Sequence, residues 1–189
     1  MADPVADSLL EYRKQFPALE DCVHFISHSL GCVPAQAKED LGEFFELWRT
    51  KSITAWSDWL PEVDRGAERI AKIISATPGT VIMHQNVSGI SSMLASCLDY
   101  TPERNKVVYE ALQFPTVSYV WHAEQRRGAK CVLVPSQDKI TIDSDAMCAA
   151  IDDHTLAVPI SHVVYSSAYI QDVKKIAEFA AGLGNVERV

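Results

Sequence analysis

Hydrophobic positions along this chain recur at two different spacings. Leu41, Phe44, Phe45 and Trp48 sit three and four residues apart, which predicts a helix from Pro34 to about Thr50. Val63, Ala67, Ile70, Ile73 and Ile74 repeat that spacing and predict a helix over 61–76, ended by Thr77-Pro78-Gly79. A short helix over 5–15 and a short strand over Val23-His24-Phe25-Ile26 are expected before them. From Val81 onward the pattern changes to short apolar runs alternating with helical stretches. The runs 81–83, 106–109, 131–134 and 156–160 read as strands, and 140–142 as a short extended piece. Helices are expected over 87–98, over 116–127 with Gly128 as C-cap, up to Ile151 with Asp143 or Ser144 as cap, and over 171–183.

Such alternation predicts an α/β fold, with a mostly parallel sheet flanked by helices on both faces. The first 60 residues do not share the rhythm. They are expected to form an N-terminal helical arm (1–60), followed by the sheet-bearing domain (61–189). A helix that closes a βαβ unit ordinarily leads into another strand. After Gly184 only Asn185–Val189 remain, so the domain is expected to be incomplete.

Composition narrows the classes. The chain has 189 residues, 48% apolar and 22% charged, enough for one sizeable core. Its net charge of -8, with no basic run, argues against nucleic acid or an anionic membrane as main partner. No apolar stretch approaches the length that spans a bilayer, and the N-terminus lacks the pattern of a secretory signal. The five cysteines are odd in number and form no C-x-x-C pair, which suits free thiols in a reducing, cytoplasmic setting. The histidines are dispersed, with no metal-binding spacing, so no metal ligand is expected.

Candidate chemistry lies where strands end. Asn86-Val87-Ser88-Gly89 follows a run read as a strand and opens a helix, where unpaired N–H groups and the helix dipole favour an anion. Taken alone, the same residues read as a plain N-cap. Phe114-Pro115-Thr116 follows the next strand; Phe114 there could stack on a flat ring or simply fill the core. Ser161 follows a third strand and offers a hydroxyl, next to His162. His28 and Ser29 occupy a polar loop, but no G-x-S-x-G elbow or orienting acid accompanies them. No residue is expected to act as a catalytic nucleophile.

Together these motifs resemble the first part of a class V aminotransferase-group enzyme dependent on pyridoxal phosphate (PLP), on the kynureninase-like branch. The run from Ser161-His162-Val163 to Tyr169-Ile170-Gln171-Asp172-Val173 is the most specific match. The resemblance covers residues 10–183 and implies an incomplete fold-type-I large domain. It implies that Asn86, Val87, Ser88 and Gly89 hold the cofactor phosphate, that Phe114 stacks on the pyridine ring, and that Ser161 contacts its phenolate side. It places His28 and Ser29 over the substrate, a small amino acid, and implies a homodimer. The implied reaction is transamination or cleavage at the β-carbon. His28 and Val117 stand where kynureninases carry Asn and Asp, so a lyase, desulfurase or aminotransferase of the group fits as well. The lysine that would carry the cofactor is expected outside this chain, which alone is then inactive. The alternatives are a non-catalytic product that binds a partner subunit, and a phosphate-binding domain without covalent chemistry.

Overall fold

The computed structural model describes residues 9–183. The chain divides into two compact units between Met83 and His84.

In the first unit a 3-10 turn over Leu10–Gln15 and the short α1 (Ala18–Asp21) precede two long helices, α2 (Ala37–Lys51) and α3 (Trp56–Ile73). Positions 5–8 of the expected first helix lie outside the described residues. The helix expected to start at Pro61 begins five residues earlier. A 3-10 turn over Ser52–Ala55, with Ala55 fully buried, runs straight into it and sets the start before the proline can. Aromatic rings join α2 to α3. Phe44 stacks on Trp59 with ring centres 4.6 Å apart, and Trp48 meets the same indole edge-on at 6.5 Å. Lys51 pairs with Asp58 at 2.9 Å across the connection.

Two expected strands are absent. Residues 23–26 and 81–83 form no ladder among the described residues. Val23, Phe25 and Ile82 are 78%, 89% and 78% exposed. An apolar run becomes a strand only when another backbone pairs with it, and among the described residues neither run has such a partner.

The second unit is a three-stranded parallel sheet in the order β2-β1-β3, with β1 at Lys106–Glu110, β2 at Lys130–Val134 and β3 at Thr155–Ala157. β1 pairs with β2 in unbroken register from Lys106↔Lys130 to Glu110↔Val134. β3 is shorter than the expected 156–160. Its register with β1 is irregular, and Pro159 has no N–H to continue the ladder. Val158 and Ile160 still pack on the core.

Helices cover both faces. Val107 and Tyr109 of β1 pack with Ala95 of α4 (Val87–Ser96) and with Val117 and Trp121 of α5 (Pro115–Ala123). Val108 points the other way, toward Met147 of α6 (Ser144–Ala150) and Ile176 of α7 (Val173–Gly182). The caps follow the sequence closely. Gly128 takes φ +108° after a 3-10 turn that continues α5, and Asp143 caps α6 by accepting the Asp145 N–H at 2.8 Å. The residues after Leu183, including Asn185–Val189, lie outside the described residues.

Arg127 fixes the direction of α4. Its guanidinium donates to the carbonyls of Ala95, Ser96 and Leu98 at 3.1, 3.4 and 3.2 Å. This ties the C-terminal end of α4 beside the start of β2. The N-terminal end of α4 therefore lies at the carboxyl edge of the sheet, as does that of α5, which leaves β1 there.

Met147 is fully buried between α6 and the sheet. Met147→Ala should cost about 2–4 kcal/mol of unfolding free energy through lost transfer energy and a residual cavity. Met147→Leu, which keeps the volume, should cost less than about 1.5 kcal/mol. Urea titration of the three chains measures the difference, and two equally small losses would refute this packing.

Candidate functional site at the carboxyl edge of the sheet

Asn86 opens α4 in extended backbone, with φ -164° and ψ 163°, and its Oδ1 accepts the Gly89 N–H at 2.8 Å. The backbone N–H of Ile90 bonds the Asn86 carbonyl at 3.2 Å. The N–H groups of Val87 and Ser88 are left without a protein partner among the described residues. With the Ser88 hydroxyl and the Asn86 Nδ2 they are the donors this turn can offer. The Gly89 N–H is already used by the cap.

Gly89 has a local reason to be glycine. A Cβ there would stand 2.8 Å from Cε1 and 3.2 Å from Nδ1 of the His84 imidazole. His84, which no sequence motif marked, thus lies against the first turn of α4.

Phe114 is the N-cap residue of α5, with Pro115 at the first helical position. The residue is 47% exposed, and its ring meets Tyr165 edge-on, centres 5.0 Å apart. It does not simply fill the core. Ser161 sits just beyond β3, and its hydroxyl donates to Oε1 of Gln113. The same Oε1 accepts the Phe114 N–H at 3.2 Å. Gln113 therefore joins the aromatic and the hydroxyl.

Behind Gln113 lies the fully buried Glu110, the last residue of β1. Its carboxylate accepts from Gln113 Nε2 at 3.5 Å and from Gln171 Nε2 at 3.2 Å. Gln113 Nε2 also donates to the Pro159 carbonyl at 3.3 Å, and Gln171 Nε2 to the Ser161 carbonyl at 2.7 Å. Burial pushes the Glu110 carboxyl up from its ordinary value, against the opposing pull of its own backbone N–H, the Gln171 amide and the Ser161 backbone. Sequence reasoning missed Glu110, Gln113 and Gln171. The available signal was an acid directly after the apolar run Val107-Val108-Tyr109, at the end of a strand buried on both faces.

Val87, Gln113 and Ser161 share the wall of a cavity of about 700 Å³. This brings the first turn of α4 next to the ends of β1 and β3. The rest of the wall is largely apolar and runs along the open edge of β3, between Trp121 of α5 and Ile176 of α7. Lys174 also lines it, from a position on α7 where it pairs loosely with Glu178 at 3.8 Å. His28 and Ser29 belong to the first unit. They lie in an exposed turn closed by the Ser29 N–H on the Ile26 carbonyl at 2.9 Å.

Two outcomes test these contacts. Alanine is a better helix former than glycine by about 1 kcal/mol. Gly89→Ala should nevertheless give no gain while His84 is present, because the imidazole must move. In a His84→Ala background the same change should stabilise by up to about 1 kcal/mol. Equal effects in the two backgrounds would show that His84 does not crowd Gly89.

The second test concerns pH. A carboxyl whose folded pKa lies above its unfolded value retains its proton better when folded. Unfolding stability then falls as pH rises from near 4.5, and the loss is complete above the folded pKa. Glu110→Gln has no proton to lose there. Its stability relative to the parent chain should increase with pH across that window, as read by urea titration at several pH values. A difference that stays flat would mean that burial does not penalise the carboxylate.

The comparisons with known proteins agree with this architecture. Residues 41–186 match the family described as Aminotransferase class-V. An uncharacterized aminotransferase of Bacillus subtilis, YcbU, is 27% identical over 176 residues, 93% of this chain and 46% of its own length. The kynureninase of Pseudomonas fluorescens is 27% identical over 187 residues, 94% of this chain and 44% of its own. Among solved structures, a variant of C-DES with glycine covalently linked to its PLP cofactor superposes with a TM-score of 0.78 at 17% identity, covering 88% of this chain and 45% of that one. The cysteine desulfurase CsdA of Escherichia coli gives 0.76 at 20% identity, covering 94% and 47%. The chain thus spans under half the length of these relatives, and the structural likeness is one of fold. With a family match that runs through α3, all three strands and α7, the chain belongs to the class-V aminotransferase family.

Proposed function

We propose that this chain supplies the phosphate- and ring-binding portion of a PLP-dependent enzyme acting on a small amino acid. The observation that supports the reading is a cavity at one sheet edge lined by Val87 of α4, by Gln113 next to the half-exposed Phe114, and by Ser161. The donor set suits the group. A phosphate needs N–H and O–H donors at a helix start, which Val87, Ser88 and the Asn86 amide offer. A pyridine ring needs a flat apolar partner, which the exposed face of Phe114 offers. The relatives named kynureninase and the PLP-bound C-DES structure support the same cofactor.

In this reading PLP, when bound, supplies an electron sink for bonds broken at the amino acid. The protein's part is positional. Asn86 holds the first turn of α4 open so that the Val87 and Ser88 N–H groups face one anion. Phe114 holds the ring plane and is itself held by Gln113. Ser161 contacts the phenolic side of the ring. We assign His28 and Ser29 to the substrate side. None of the strand-end residues described above is a lysine, and Lys174 lies on α7 beside Glu178. We therefore assign the lysine that would carry the cofactor to a part of the enzyme outside these residues, and regard the chain by itself as inactive. Transamination and β-carbon cleavage both remain in scope, as the relatives include an aminotransferase and kynureninases. A homodimer and a cytoplasmic setting belong to the same proposal. The five cysteines are free, and no helix among the described residues is long and apolar enough to cross a membrane.

Phe114 and Ser88 provide the test. Phe114→Ala should weaken PLP binding by about 1–3 kcal/mol through lost stacking and apolar contact. Ser88→Ala should cost only about 1 kcal/mol, since backbone N–H groups carry most of the phosphate contact. Ligand stabilisation follows affinity. Saturating PLP should therefore raise the melting temperature of Phe114→Ala less than that of the parent chain. An unchanged PLP-induced shift, with an unchanged dissociation constant, would remove Phe114 from the site.

A further inference from the structure

Phe114 is held at its backbone, and its side chain needs a separate hold. The Phe114 N–H bonds Gln113 Oε1 at 3.2 Å, and Pro115 opens the helix that follows. Neither contact selects a direction for the ring. A phenylalanine side chain has three staggered χ1 positions, and one that is half-exposed at a helix start has room for more than one of them. Among the described residues the one ring that meets Phe114 is that of Tyr165, with centres 5.0 Å apart and planes 77° apart.

Tyr165 stands on a loop closed at several points. The chain leaves at Val163 and returns at Ile170, and these two residues bridge antiparallel. Inside the bridge the Val164 N–H donates to the Tyr169 carbonyl and the Ala168 N–H to the Val164 carbonyl, each at 2.9 Å. Ser167 Oγ donates to the Ile140 carbonyl at 2.7 Å, which ties the loop to the segment before α6. Val164, next to Tyr165, is fully buried. Ala168 takes a left-handed φ of +58°, a region that favours glycine, to complete the turn. The backbone beneath Tyr165 is thus fixed without help from Phe114. The Tyr165 hydroxyl makes no hydrogen bond among the described residues, so the ring contact is what this side chain contributes.

We propose, building on the PLP reading, that Tyr165 is a positioning residue: its ring holds Phe114 in one side-chain rotamer, ready to receive the flat ring of the cofactor. The three-rotamer picture bounds the effect. Without the hold, the fraction of chains with Phe114 in the stacking rotamer falls to no less than about a third, so the apparent dissociation constant rises by no more than about threefold. A residue that touched the cofactor itself would not obey that limit.

Two measurements on the 189-residue chain test this. The first needs no cofactor. The two Hα–Hβ couplings of Phe114 in NMR spectra should report a single χ1 in the parent chain and in Tyr165→Phe, which keeps the ring. In Tyr165→Ala they should move toward the rotamer average. Tyr165→Ser removes the same ring and serves if the alanine variant fails to fold. Couplings that stay fixed without the Tyr165 ring, or that are already averaged in the parent chain, overturn the proposal.

The second measurement is PLP affinity. Tyr165→Ala should raise the dissociation constant about two- to threefold, and Tyr165→Phe should keep the parent value. In a Phe114→Ala background, Tyr165→Ala should add no further loss, because Tyr165 acts through Phe114. An unchanged constant in Tyr165→Ala overturns the positioning role. So does an equal loss in Tyr165→Phe, or a loss that persists without Phe114, since either places Tyr165 on the cofactor itself. If the parent chain binds no PLP, the cofactor reading fails, and the couplings alone decide whether Tyr165 holds Phe114.

Discussion

The second unit depends on β1 being covered on both faces. A strand so placed must carry apolar side chains both up and down, and Val107, Val108 and Tyr109 do. Parallel pairing on both sides satisfies its backbone, and helices from two layers satisfy its side chains. That arrangement also fixes where polar groups can go. Every connection from a strand to its following helix leaves at the carboxyl edge, so the helix starts with unpaired N–H groups gather there. Glu110 stands at the point where β1 runs out of ladder, and among the described residues no cation pairs with its carboxylate. Two glutamine amides meet it instead. The acid depends on the amides more than the amides depend on it. A buried carboxylate without donors would cost several kcal/mol, while the amides also reach the Pro159 and Ser161 carbonyls.

The sequence revealed those elements whose signals are local. Gly128 at φ +108°, Asp143 as a cap and Asn86 as a cap all act through their own backbone neighbourhood, and each was readable from residue type and position. β1 and β2 were readable because their apolar runs are short, β-branched and bounded by polar residues. Residues 23–26 and 81–83 have the same look and form no strand. Pairing is a property of two segments, and one run of residues does not disclose whether the second exists. The end of β3 was misjudged because Val158 and Ile160 are apolar and do pack on the core, yet Pro159 between them cannot donate to a ladder.

The candidate site divides along the same line. Phe114, Ser161 and the Asn86 turn were legible as strand-end groups. What links them was not. Gln113 reads as an ordinary polar residue in a loop, and Gln171 as the start of a helix, 58 positions further on. Their meeting at Glu110 follows only from the crossover that returns the chain beside β1. His84 was invisible for a related reason. It looks like one of several scattered histidines until the absence of a side chain at Gly89 is seen to make room for it.

The chemistry of this edge is that of neutral donors. An acidic chain, with a net charge of -8, offers a candidate anion site built from backbone N–H groups, one hydroxyl and one amide, with no lysine or arginine among them. Neutral donors of this kind are directional where a lysine ammonium acts more as a point charge, so they discriminate by geometry. The same logic governs Ser161. Its hydroxyl donates to Gln113, whose own sense follows from the Pro159 carbonyl and the Phe114 N–H. A chain of neutral hydrogen bonds thus joins the end of β1 to the cavity wall. A salt bridge in the same place would hold the parts together without specifying which end of each group faces the ligand.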